Sequence, residues 1–400
     1  MKKRIFNSLF LVLIFFSFIP TLLFSQVDTV WVRRYNGPRD SADVATSLFV
    51  DNNGNVYVTG RSVGLGTNYD YATLKYDSIG NLLWVRRYNG SSNGEDVANA
   101  LFVDGAGNVY VTGYSDSNVT SYDYLTLKYD TYGNLLWARR YGVTRDADDT
   151  PYALFVDGAG NVYVTGSSWG GVSWNDYLTL KYDTDGNLLW ARRYNGQGNA
   201  VDCANALFVD GAGNVYVTGY SVGLGTNKDY ATLKYDMNGN LLWERRYNGQ
   251  GNDEDLPKSL FVDNQGNVYV TGYSWGSGTG WDYATLKYDT DGNLLWERTY
   301  NGTENSHDHA YALFVDGNGN VYITGDSYAS GTNYDYTTIK YVPQGPSINK
   351  EKENKIKNKL PRKTNEIYDV CGKLVKQNKL KKGIYFLRTE KENKKIIILK

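Results

Sequence analysis

Apolar and polar positions alternate in short blocks along most of the chain. Leu48-Phe49-Val50 ends at Asp51-Asn52-Asn53-Gly54-Asn55, and Val56-Tyr57-Val58-Thr59 is closed by Gly60. A loop from Arg61 to Tyr69 leads into Tyr71-Ala72-Thr73-Leu74-Lys75-Tyr76; Asp77 to Asn81 turns the chain, and Leu82 to Tyr88 ends the unit. The runs are rich in β-branched and aromatic residues, which suit a pleated surface. Gly and Asn separate them because tight turns need positive φ. No helical period appears in this region. The pattern predicts four short antiparallel strands, here called a, b, c and d.

The same pattern recurs every 53 residues. Trp31, Trp84, Trp137, Trp190, Trp243 and Trp296 mark it, and Gly-Asn-Val-Tyr begins at Gly54, Gly107, Gly160, Gly213, Gly266 and Gly319. A period this strict means one supersecondary unit repeated six times, and four strands per unit is the signature of a propeller blade. The repeats open on a lone d strand, Val30 to Tyr35, and end on a lone c strand, Thr338 to Tyr341. Pairing the two would complete the last blade and leave no open edge. The expected fold is all-β: a six-bladed β-propeller of four-stranded antiparallel blades closed by the N-terminal strand, plus a small C-terminal β domain.

The phrase Asp-x-x-Gly-Asn-Val-Tyr-Val-Thr-Gly, preceded by Asp-x-x-x-x-Leu-Phe-Val, resembles the SBBP-type β-propeller repeat of bacterial extracellular proteins. The resemblance covers residues 27–343. It implies an extracellular propeller; members of that family often carry seven blades, and this chain departs from them with six units.

The ends have a different character. Met1-Lys2-Lys3-Arg4, an apolar run from Ile5 to Phe24, and Ser25 read as a signal peptide over 1–25. An uncleaved anchor is the alternative, since the run is nearly long enough to span a membrane. No later segment has that character. The propeller occupies 26–343, a basic Lys/Glu/Asn-rich linker 344–365, and short strand-like runs 366–400. Tyr-Asp-x-x-Gly-Lys-Leu-Val, Gly-Ile-Tyr-Phe-Leu-Arg and the basic final strand resemble a truncated type IX secretion sorting domain, which implies delivery to the cell surface by that secretion machinery. A small accessory β domain is the alternative.

Charge sharpens this division. The tail from Val342 carries 17 Lys/Arg against 6 Asp/Glu and the leader three positive charges, so a chain of net charge −1 leaves −15 on the propeller. An acidic body repels nucleic acid and anionic membrane and favours cations or basic partners. Two cysteines, Cys203 and Cys371, lie in different domains. They are able to pair in an oxidising compartment, but Cys203 occupies a place held by Val44, Val97 and Leu256 in other repeats, which reads as core.

Candidate chemistry is found where the repeats differ. The a–b and c–d turns are nearly uniform; the d–a and b–c loops vary and emerge together on one face, the expected binding surface. Four tryptophans outside the repeat phrase fall in b–c loops: Trp169 and Trp174, Trp275 and Trp281. They suit contact with a protein or sugar, or else cover the blade tops. His307 and His309 share one d–a loop, with a metal or solvent as alternatives. Asp43, Asp96, Asp149, Asp202, Asp255 and Asp308 recur before strand a, either as a calcium-binding acidic ring or as caps of their own loops. Asp-x-Asp-Gly-Asn at Asp183 and Asp289 imitates a calcium loop, although a hairpin turn explains it equally. Lys75-, Arg86- and Asp70-type residues repeat in the units, which fits ion pairs and cation–π contacts rather than one converging catalytic centre. No His-Glu-x-x-His or phosphate loop occurs. The expectation is a monomeric, secreted or surface binding module for an extracellular protein or carbohydrate, with no catalytic residues; the alternative is a polysaccharide hydrolase or lyase.

Overall fold

A computed structural model of the chain describes residues 28–117, 121–142, 148–171, 174–343, 366–369, 383–388 and 393–398. The proposed leader (1–25), the linker (344–365) and Cys371 lie outside the described residues. The chain divides into two units, 1–341 and 342–400.

Unit 1 is a propeller-like array of six antiparallel sheets, five with four strands in the order a-b-c-d and a sixth with three. Blade 1 comprises Asp43–Val50, Val56–Val63, Tyr69–Tyr76 and Leu82–Tyr88. Strand b runs past Gly60, which the pattern alone reads as its end. A Cβ at Gly60 would lie 1.9 Å from the Val44 carbonyl oxygen, beside the bulge between Ala45 and Ser47. Glycine is therefore present for close backbone approach within the strand, not to stop it.

The a strands lie innermost, where Phe49, Phe102, Phe155, Phe208, Phe261 and Phe314 form a ladder with ring centroids 5.5–6.0 Å apart. Between blades, the same contacts recur at each junction. The Tyr71 hydroxyl donates to Leu125 O across the junction at 3.2 Å, and Tyr124, Tyr177, Tyr230 and Tyr283 repeat that bond one blade onward. Trp84 Nε1 donates to Thr131 O at 3.2 Å while Arg86 Nε donates to Gly133 O at 2.5 Å. Gly133 has φ +80, and a Cβ there would press on the Trp84 ring, so the turn needs glycine twice over. The repeated tryptophans are thus packing residues, as expected. So are the repeated charges: Lys75 Nζ lies 5.0 Å from the Tyr57 ring centroid, the Arg86 guanidinium 5.7 Å from that of Trp84, and Arg87 pairs with Asp70 at 2.8 Å. Cys203 is buried in the core, where burial pushes its thiol up to about 11.

The closing pair expected from the sequence is not formed. The sixth sheet consists of Asp308–Val315, Val321–Ala329 and Asn333–Tyr341, and Val30–Tyr35 belongs to no strand. The two end faces are correspondingly open. Tyr336 is 98% exposed where its counterpart Tyr283 is 1%, and Leu48 is 63% exposed where Leu101 is 8%. Half of the junction nevertheless exists. Trp31 Nε1 donates to Ser78 O and Arg33 Nε to Gly80 O, the bonds that the d strands of blades 1 to 4 make to the following blade. Beside them lies a cleft of about 410 Å³ lined by Trp31, Val44, Leu48 and Tyr76.

Unit 2 contains a three-stranded antiparallel sheet of Glu366–Asp369, Gly383–Arg388 and Asn393–Ile398. These three strands fall within the strand-like runs expected over 366–400.

Candidate functional site

Strand alternation determines which loop-face side chains meet. In blade 5, strands b (Val268–Gly276) and c (Gly280–Tyr288) pair Trp275 directly with Trp281. Their rings are 5.4 Å apart and nearly perpendicular, a favoured edge-to-face arrangement. His307 and His309 come from the adjoining d–a loop and strand a of blade 6. The His307 ring lies 4.8 Å from Trp281, and the His309 ring 4.7 Å from Tyr273 and 5.4 Å from Trp281. Four of the six singled-out aromatic and histidine residues thus form one patch. Trp169 and Trp174 are brought together elsewhere, in blade 3, with rings 6.0 Å apart and Trp174 59% exposed.

Polar contacts orient the patch. His307 Nδ1 accepts from the Trp281 backbone N–H at 3.3 Å, which leaves Nε2 as the donor of a neutral ring. His309 Nδ1 is 2.7 Å from Asp326 Oδ1, and the Tyr311 hydroxyl donates to Asp326 Oδ2 at 3.1 Å. Burial and that carboxylate push the Tyr311 hydroxyl up to about 12. Trp281 Nε1 is buried without a hydrogen-bond partner. Tyr273, Tyr311, Tyr334 and Asp326 were not singled out from the sequence. Their signal was available: at position 326 the other blades carry Arg61, Tyr114, Ser167, Tyr220 and Tyr273, so Asp326 is the one acidic residue at that place.

The aspartates of the acidic ring are held by bonds within their own blades. Asp43, Asp96, Asp202, Asp255 and Asp308 each accept the N–H of a glycine six residues earlier at 2.6–2.7 Å. Asp149 Oδ1 accepts from Trp169 N at 3.0 Å. These carboxylates cap their own loops. Among the described residues no group of three or more His, Cys, Asp or Glu is placed to hold a metal. His307 and His309 turn their Nδ1 atoms to Trp281 and Asp326 instead. Asp183 and Asp289 accept from the backbone and side chain of Asn187 and Asn293 in hairpin turns, and the Asn187 side-chain amide, with its backbone, holds the Asp183 carboxyl below its usual value.

Gly-x-Ser-x-Gly, a string associated with nucleophilic serines, occurs at Gly60–Gly64, Gly166–Gly170, Gly219–Gly223 and Gly272–Gly276. In each copy the serine lies inside strand b and is buried. Ser221 Oγ accepts from Arg246 at 2.7 Å. A nucleophile would need the exposed strand-to-helix turn that is absent from these strands.

Four segments, 30–66, 83–119, 136–172 and 245–278, match the SBBP family, a beta-propeller repeat. No curated protein matches the chain. Among solved structures, the chain is similar to the alpha-L-arabinofuranosidase Arb93A of Fusarium graminearum at 9% identity, with 76% of this chain and 96% of that one covered and a TM-score of 0.46. The beta-propeller domain of the Trilobed protease of Pyrococcus furiosus, described as having an open velcro topology, aligns at 8% identity over 76% and 84%, TM-score 0.41. A PL25 ulvan lyase aligns at 11% identity over 73% and 82%, TM-score 0.41.

Proposed function

We propose that this chain is a secreted or cell-surface β-propeller that binds a protein or glycan through the face carrying its d–a and b–c loops. The patch of Trp275, Trp281, His307, His309 and Tyr273 carries this reading: it is an aromatic concentration that the 53-residue repeat does not impose. Flat rings give contact area at small entropic cost. The reading assigns the chain no catalytic step. Screening the full chain against glycans and cell-surface proteins tests it. Trp281→Ala and His309→Ala should each weaken the ligand found by about tenfold, the value of one good aromatic contact, with melting temperature followed in parallel. Undiminished binding by both folded variants would overturn the placement of the site.

Export and closure belong to the same reading. The leader would direct secretion and 366–400 surface delivery; unchanged display after removal of 366–400 in the native host would refute the sorting role. Pairing of Val30–Tyr35 with Asn333–Tyr341 would set Arg34 against Asp335, as Arg87 stands against Asp70. A cysteine pair introduced at Arg34 and Thr337 should then cross-link within one chain; cross-linking only between chains would reject closure.

A further inference from the structure

Each of blades 1 to 4 carries the same buried ion pair at its loop end. In blade 4, Arg246 of strand d donates to Ser221 Oγ at 2.7 Å, Ser221 O at 2.7 Å and Asp229 Oδ2 at 2.9 Å. Arg87, Arg140 and Arg193 repeat this against Asp70, Asp123 and Asp176. Blade 5 keeps the acceptors and lacks the donor. Ser274 and Asp282 stand opposite each other in strands b and c, as Ser221 and Asp229 do. Thr279 Oγ1 donates to Asp282 Oδ2 at 2.7 Å, just as Thr226 Oγ1 donates to Asp229 Oδ2 at 2.9 Å. The position of Arg246 is held by Thr299, which is exposed.

Threonine is too short to span from strand d to strand b. Asp282 is only 9% exposed, and its Oδ2 accepts from Thr279 where Asp229 Oδ2 accepts from both Thr226 and Arg246. Among the described residues no ion pair reaches Asp255, Asp282 or Asp308. In blade 4 a Cβ at Gly196 or Gly223 would lie 3.2–3.3 Å from an Arg246 nitrogen. At the matching Gly249 and Gly276 the nearest atoms belong to Ser274, Asp255, Thr279 and Asp282, with no cationic group among them. A buried carboxylate without a cation is costly, and both Asp282 and Asp255 are held above the usual carboxylate range, chiefly by burial.

We propose that the loop end of blade 5 is a binding site for an external guanidinium group, which Asp282, Ser274 Oγ and Ser274 O would hold as their counterparts hold Arg246. The planar fork fits because the same acceptors bind one in four sister blades. Ligand access follows from the sister arginines, whose side chains are 17–29% exposed. Ser274 and Asp282 project from the opposite side of the blade 5 sheet to Trp275 and Trp281, so this site is separate from the aromatic patch and stands without it.

The test uses the full chain and three probes of like shape: propylguanidinium, propylamine and the neutral propylurea. Propylguanidinium at up to ~10 mM should raise the melting temperature saturably, as a ligand of millimolar Kd does. Propylurea should have no effect and propylamine a weaker one. Thr299→Arg should raise the melting temperature by itself and abolish the probe's effect. Asp282→Asn, should the first variant not fold, should also abolish it. Arg246→Thr should gain a second site and double the bound stoichiometry. Comparison with N-acetyl-arginine amide separates the sources: tighter binding of the amide identifies a protein arginine, and equal or weaker binding a free guanidine. No saturable effect of either compound, equal stabilisation by propylurea, or an undiminished effect in the folded variants would overturn the proposal.

Discussion

Blades 4 and 5 share strand order, register and bulge position, yet they differ at one end. Blade 4 joins strands b, c and d through Arg246; blade 5 has Thr299 there, and Asp282 Oδ2 keeps only the Thr279 bond. Blade 4 has Val222 and Lys228 as the last pair of its b–c ladder, and Lys228 forms an ion pair with Glu254 at 2.7 Å. Blade 5 has Trp275 and Trp281 there, with two histidines beside them. The backbone registers the exchange only at the loop end, where blade 5 adds the pair Gly276–Gly280. In a repeated scaffold, specialisation can therefore be carried at loop ends while the rest of the strands keeps one register.

The comparison breaks most sharply at Arg246. Arg246→Thr would give blade 4 the chemistry of blade 5 and leave Asp229 and Asp202 buried beside no cation. The expected loss is about 3–5 kcal/mol in urea unfolding, against no loss for Thr299→Arg. A loss below about 1 kcal/mol would mean that the arginines do not hold the blades together.

Acid should separate the blades next. Burial raises Asp255 from 3.8 to about 6. A carboxyl raised on folding favours the folded state below the unfolded value, and that contribution disappears as pH rises through the folded value. Between pH 4 and pH 6 this group alone should lower stability by at most roughly 3 kcal/mol. The turn aspartates act in another window: Asp104 is raised by burial, but hydrogen bonds led by the Asn108 side chain outweigh this and hold it below 3.8. Its contribution is present above that value and is lost as pH falls through the lowered one. Denaturation of Asp255→Asn at pH 4.5 and pH 7 should therefore show a flatter profile than the parent; identical slopes would contradict the assignment.

The smallest effects should be equal at the junctions that blades 4 and 5 each make with the preceding blade. Tyr194 donates to Glu244 and Tyr247 to Glu297, at 2.6 and 2.8 Å. Tyr194→Phe and Tyr247→Phe should each cost about 1–2 kcal/mol. Unequal losses in calorimetry would show that the blades differ beyond their loop ends.

Most of this architecture was legible because its causes are local. Alternation, turn residues and a fixed period specify four strands per unit, and the tryptophans and lysines follow the period into inter-blade contacts. Strand ends were read short because Gly60 looks like a terminator until the bulge beside Val44 is known. The association of Trp275, Trp281, His307 and His309 was only partly legible. Trp281 and His307 lie 26 residues apart in different blades, and only the cross-strand register brings them together. Asp326 and Thr299 were readable as breaks in the repeat, but their meaning depends on the partners Arg246 and His309 reveal. Closure was inferred from strand counting, which identifies two complementary ends without determining whether they meet.

The junction between blades has a consequence for inheritance. The repeated contacts across it join residues at fixed offsets, 47 for Trp84 to Thr131, 54 for Tyr71 to Leu125 and 56 for Lys75 to Thr131. A segment of gene encoding 53 residues, duplicated or deleted anywhere within the array, would bring both of its faces already matched to its new neighbours. Blade number can thus change in one genetic event without any compensating substitution, and a single altered loop end, once acquired, can be copied along the array or left in one blade.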